Sequence, residues 1–74
     1  MDNEELLKDA GFEQSSRKTH LWFKATPNDR QYIDLQKMEC YAYEDNTAKG
    51  ANKETHRILQ TIKALDDKDQ VRLF

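Results

Sequence analysis

Apolar residues change their spacing twice along this chain, and the two changes divide it into a helix, a set of strands and a second helix. Leu6, Leu7 and Ala10 stand one helical turn apart, and Gly11-Phe12 follows them. Asp2 can cap such a helix, Glu5 stands three residues on as in a capping box, and Glu4 and Glu5 suit the positive end of the dipole. Gly11 in the left-handed conformation ends the helix and lets Phe12 fold back on Leu7.

From Phe12 onward the pattern alternates, which predicts strands over 12–16, 20–25 and 31–36. The last two are joined by the five residues Thr26-Pro27-Asn28-Asp29-Arg30, which carry turn chemistry. With that connection Leu21, Phe23 and Ala25 face the core together with Ile33 and Leu35. His20, Trp22 and Lys24 then face outward beside Tyr32, Asp34 and Gln36. Residues 38–45 alternate as well and either form a fourth strand or continue the third past a bulge. Residues 46–52 read as a loop, with Asn52 as the N-cap of a second helix. Thr55, Ile58, Leu59, Ile62 and Leu65 form its buried stripe, and Asp66-Asp67 oppose its continuation.

The expected architecture is α+β: a two-layer α-β-β-β-α sandwich with both helices on one face of a three- or four-stranded antiparallel sheet, and the other face open. The 74 residues suit a single domain over 1–74, with a core at about 4–65 and a C-terminal tail at 66–74. Val71, Leu73 and Phe74 give that tail an apolar end.

Charge modifies this picture. The chain holds 12 Lys and Arg against 14 Asp and Glu, a net charge of −2, which argues against a general nucleic-acid coat. The charges are sorted, however: 1–16, 38–48 and 64–74 are net acidic, whereas 17–37 and 49–63 are net basic. Bringing the two basic segments together would give one cationic surface on an acidic body.

The single Cys40 reads as a small core residue in a reducing compartment. There is no membrane-length apolar run and no leader pattern, so a cytoplasmic protein is expected. Neither His20 nor His56 belongs to a ligand-spaced cluster, so no metal and no cofactor is expected.

The candidate chemistry lies in "RKTHLWFK", residues 17–24. A histidine near its unperturbed pKa of about 6.5 can exchange a proton at neutral pH. Aromatic rings can stack bases, and cations can hold phosphates. His20 is therefore the candidate catalytic residue, and Arg17, Lys18, Trp22, Lys24, Arg30 and Tyr32 are the candidate nucleic-acid contacts. Lys53 and Arg57 extend them at the start of the second helix. The competing reading of each is structural: His20 as a hydrogen-bonded residue opening a strand, Trp22 as a core residue under a register shifted by one, and Tyr32 as cross-strand packing.

The segments "LLKDAGF" (6–12), "KTHLWFK" (18–24) and "NKETHRILQTIKAL" (52–65) resemble the first helix, the histidine segment and the closing helix of the HicA-like mRNA interferase toxins. The resemblance spans most of residues 4–65. It implies a fold of the double-stranded-RNA-binding type, metal-independent endoribonuclease activity with His20 on the family's catalytic histidine, single-stranded or structured RNA as substrate, and a HicB-like antitoxin as partner. The alternative is a non-enzymatic phage or mobile-element protein that inhibits a host defence protein by binding it. Acidic patches at 1–16 and 38–48 would serve that role, with the apolar tail of Val71, Leu73 and Phe74 and an exposed Trp22, Tyr41 or Tyr43 as anchors. Homodimerisation through an edge strand or the open sheet face fits either reading.

Overall fold

Glu4 and Glu5 in the first turn and Lys8 in the last favour a helix over Asn3–Asp9, α1. Gly11 ends it with φ +93°. The Phe12 amide donates to the Leu7 carbonyl at 2.9 Å and the Gly11 amide to that of Lys8 at 3.0 Å, a Schellman closure. Leu7 and Phe12 both enter the core, as their spacing predicts. The structure, a computed structural model, describes the backbone of residues 3–72 and the side chains of residues 3–65. Asp2, Leu73 and Phe74 lie outside the described residues, as does the Val71 side chain.

Five antiparallel strands follow in sequence order: β1 (Glu13–Gln14), β2 (Leu21–Ala25), β3 (Arg30–Asp34), β4 (Glu39–Glu44) and β5 (Thr47–Lys49). Residues 38–45 thus supply a fourth strand. Part of the expected 46–52 loop is a fifth, because Asp45 (φ 50°) and Asn46 (φ 65°) make a two-residue hairpin turn. Asn52 caps α2 (Lys53–Arg72), its Oδ1 accepting from the Thr55 amide at 2.8 Å. The helix runs through Asp66-Asp67 to Arg72 instead of stopping there. The dipole acts within the last turn only, and these aspartates stand before it in a segment without Gly or Pro.

The fold is α+β, with both helices on one face of the sheet and the other face open. Leu7, Phe12, Trp22, Ile33, Ile58, Leu59 and Ile62 form one buried cluster between the layers. Among the described residues no helix is long and apolar enough to cross a membrane.

One expectation is overturned: Trp22 is not on the open face but in the core, with 1% of its surface exposed. Loop length is the reason. Ala25 pairs with Arg30, so the β2–β3 connection has four residues, not five, and Arg30 belongs to the strand. This pairs Trp22 with Ile33 and Phe23 with Tyr32. Since side chains alternate faces, moving the pairing by one residue sends all of β2 to the opposite side. Thr26 sets the short loop: its amide donates to the Asp29 carbonyl at 2.7 Å, and its hydroxyl oxygen accepts from the amides of Asn28 and Asp29.

Lys24 is likewise corrected to the helix-covered face. Its ammonium donates to the Ala10 carbonyl at 2.9 Å and lies 3.7 Å from Glu54. This lets an aliphatic stem line the core edge while its charged end stays partnered. The stem passes under Gly11, where a Cβ would meet Lys24 Cε at 3.3 Å.

The two faces of β2 therefore differ in their tolerance of truncation. Trp22→Ala should cost about 3–5 kcal/mol, as for other buried aromatics. Phe23→Ala, on the open side, should cost under about 2 kcal/mol. Urea unfolding of both variants measures the difference, and a larger loss at Phe23 would reverse the register.

Candidate functional site

The register that buries Trp22 lifts a different set of side chains onto the open face. Phe23, Tyr32 and Tyr41 are aligned across β2, β3 and β4, and Tyr43 follows two residues beyond Tyr41. The Tyr32 and Tyr41 rings stack with centroids 5.2 Å apart and planes at 15°. Tyr43 meets both edge-on, at 5.9 Å from Tyr32 and 5.8 Å from Tyr41. Phe23 extends the group at 6.5 Å from Tyr32. Offset and edge-on pairs of this kind are favourable beyond their area.

Tyr43 is 42% exposed, the one large apolar side chain so open among the described residues. None of the three phenol hydroxyls has a hydrogen-bond partner among the described residues, and no buried side-chain polar atom is left unsatisfied there.

Charge is divided along this face. Arg30, at one end of β3, holds its guanidinium 5.8 Å from the Phe23 ring centroid, a cation–π contact. At the opposite end, Asp34 and Glu39 are cross-strand partners. Burial of the phenol raises the Tyr41 pKa from its ordinary value, and the Asp34 and Glu39 carboxylates add to the rise. Glu13, paired with Phe23, adds a carboxylate at the β1 edge. Asp34 Oδ1 also accepts from the amides of Gln36 (2.9 Å) and Lys37 (3.1 Å), which fixes the β3–β4 turn.

A shallow groove of about 560 Å³ opens at the Arg30 end, between the turns at 26–29 and 45–46, and Tyr32 and Tyr43 contribute to its wall. Its floor is held by Asp29. That carboxylate accepts from Lys49 (2.8 Å), the Thr26 hydroxyl (2.7 Å) and the Gln31 amide (2.7 Å). Lys49 also reaches Glu44 at 3.0 Å. Gln31 is 1% exposed and its carbonyl accepts from the Asn52 amide at 2.9 Å, so the network continues to the start of α2.

The sequence-predicted site residues are not assembled into one place. Tyr32 and Arg30 stand on the open face. Trp22 is sealed in the core, and Lys24 is held on the covered side by Ala10 and Glu54. Arg17, Lys18 and His20 lie in the β1–β2 connection, where Ser15 Oγ accepts from the Arg17 and Lys18 amides and the His20 carbonyl accepts from the Leu35 amide. The His20 ring is half-buried and makes no hydrogen bond with the described residues. Lys53 and Arg57 are exposed on α2, on the covered side of the sheet. The expected fusion of the two basic segments is also weakened by pairing, since Lys24 and Lys49 are engaged by acids of the same chain.

Phe23 joins the open face only through the four-residue turn; Tyr41 and Tyr43 are legible in the 38–45 alternation. Cys40 is half-buried, and its Sγ lies 3.3 Å from His56 Nδ1. Burial pushes this thiol's pKa up, with Lys63 opposing. Among the described residues no group of three or more His, Cys, Asp or Glu could hold a metal ion.

Comparison with known proteins gave no match to a protein-family model, a curated protein or a solved structure.

Asp29 should give the turn network a clear acid signature. Its pKa is lowered from 3.8 to about 2, first by the Lys49 hydrogen bond and then by those of Thr26 and Gln31. The folded state therefore holds this proton less tightly than the unfolded chain. The resulting stability is full above about pH 4 and is lost as pH falls through about 2. Urea unfolding between about pH 5 and pH 2 should show a steeper loss for the wild type than for Asp29→Asn, and the variant should be the less stable at pH 5.

Proposed function

We propose that this chain is a non-enzymatic interaction module that docks a protein partner on the open sheet face. The carrying observation is the Tyr32–Tyr41–Tyr43 cluster on the open face, in which Tyr43 is exposed, Tyr32 and Tyr41 are half-buried, and no hydroxyl has a partner among the described residues. Tyrosine supplies large contact area at little conformational cost and offers a polar tip, which is why it is enriched at protein interfaces. Contiguous aromatic surface that is open to solvent and rimmed by polar residues is the kind of patch that marks interaction sites.

The charges favour protein over RNA as the occupant. A sheet that stacks bases needs cations along the phosphate path. Here Arg30 stands with the exposed carboxylates of Glu13 and Glu39 and the buried one of Asp34, so the face balances toward acid. A fitting partner brings an apolar or aromatic centre, a cation for the Asp34–Glu39 end and an anion for Arg30.

A second reading rests on the β1–β2 connection, which carries Arg17, Lys18 and the half-buried His20. Two helices on one face of an antiparallel sheet suit the double-stranded-RNA-binding type of fold that the HicA-like resemblance implies. In this reading His20 takes a proton from a 2′-hydroxyl, the two cations steady the phosphate, and a HicB-like antitoxin covers the site.

A photo-crosslinking amino acid replacing Tyr43, with a second chain labelled at Lys8 on α1 as control, tests the first reading in cells that make the protein. A discrete protein adduct from position 43 that position 8 does not give is expected; no adduct, or the same adducts from both, defeats it. The RNA reading requires binding that weakens steeply between about 50 and 200 mM salt, and cleavage in chelator that His20→Ala loses. Absence of RNA binding at the lower salt removes that reading.

A further inference from the structure

We infer that the partner of the open face is a second copy of this chain, joined face to face about a two-fold axis that runs across the strands. The inference rests on the docking reading of that face and supplies its occupant. Such an axis through the level of Tyr32 leaves each strand opposite its own copy and reverses its direction. Phe23, Tyr32 and Tyr41 then meet their own counterparts. The two ends of the face exchange places, so Arg30 of one copy stands over the Asp34–Glu39 end of the other. There Asp34 is buried and held by the turn amides, and Glu39, on the adjacent strand, is the exposed carboxylate within a side chain's reach.

This is the pattern that an isologous interface demands: one surface carrying both halves of each complementary pair. The alternative axis, parallel to the strands, would set Arg30 against Arg30 and carboxylate against carboxylate, so charge selects one of the two arrangements. Asp34 and Glu39 flank the β3–β4 turn, two residues along their strands from Tyr32 and Tyr41, and Arg30 already leans over Phe23 at the aromatic centre. Glu13 meets its own counterpart, but at the outer β1 edge, where solvent and salt screen like charges.

Strand spacing and rise make the central patch roughly 20 by 17 Å. An area of that size lies below the standard interface, so the dimer is weak and concentration-dependent.

Sedimentation equilibrium from about 10 μM to about 1 mM tests the assignment on the whole chain. The wild type should pass from monomer to dimer. Arg30→Glu and Glu39→Arg should each weaken association by about 10-fold or more, since each sets like charges opposite one another. An equimolar mixture of the two variants should associate where neither does alone, because the acidic and basic ends are then matched between unlike chains. Circular dichroism confirms that the variants are folded, and should either single variant unfold, the wild type crosslinked through photo-labelled Tyr43 must give an adduct of twice the chain mass.

A wild type that stays monomeric throughout, a dimer indifferent to both variants, or a mixture that fails to associate overturns the self-pairing. A monomeric wild type that still yields a position-43 adduct of another mass defeats only the choice of occupant; absence of every adduct defeats the docking reading as well.

Discussion

Trp22 and Ile33 are cross-strand partners, and that one pairing decides what every other residue of the sheet can do. Pairing partners share a face, so an indole opposite a buried isoleucine is buried with it. The largest apolar side chain in the protein then fills the space beneath Ile58, Leu59 and Ile62 of α2. Burying an aromatic of this size is worth several times an ordinary hydrogen bond. The same parity turns Phe23, Tyr32, Tyr41 and Tyr43 out to solvent. Core and candidate surface are two consequences of one register.

The register is held by polar groups in the turn and its surroundings. Thr26 closes the four-residue connection, and Asp29 ties it to edge strand β5 through Lys49. Gln31 then carries the link inward to the first turn of α2 through the Asn52 amide. A buried glutamine would be destabilising if either end of its amide lacked a partner; here both ends are satisfied. The network also takes Lys49 out of the pool of free cations, as Ala10 and Glu54 do for Lys24. Two basic segments of the sequence are thereby dispersed by internal pairing, and the outer face is left with Arg30, the exposed carboxylates of Glu13 and Glu39, and the buried one of Asp34. Stability and surface electrostatics are set by the same contacts.

The open face joins aromatic, hydroxyl and charged groups on one surface. Its aromatic centre offers area, its hydroxyls offer donors and acceptors, and its charge runs from cationic to acidic along the strands. His20 stands apart from this centre, in the connection before β2, with Arg17 and Lys18. The open face and the histidine segment are separate places on the molecule, which is why the protein-docking and RNA readings can be judged independently.

Local patterns in the sequence were sufficient for the first helix and its Gly11 closure, the alternation of β2 to β4, the Asn52 cap and the buried stripe of α2. These depend on neighbours within a few residues: an N-cap side chain, a left-handed glycine, a period of two or of 3.6. The alternation of Tyr41 and Tyr43 placed them on one side in the same way, without saying which. The side itself was not legible, because a stretch such as Leu21-Trp22-Phe23 is apolar in both directions and local spacing cannot choose between its faces. Only the tertiary structure decided it, through a four-residue turn, the Trp22–Ile33 pairing and a lysine whose charge found Ala10 and Glu54 at the core's edge. The physical reason is that a strand's period is two, so one residue in a loop inverts a whole face, and that choice is made by contacts distant in sequence.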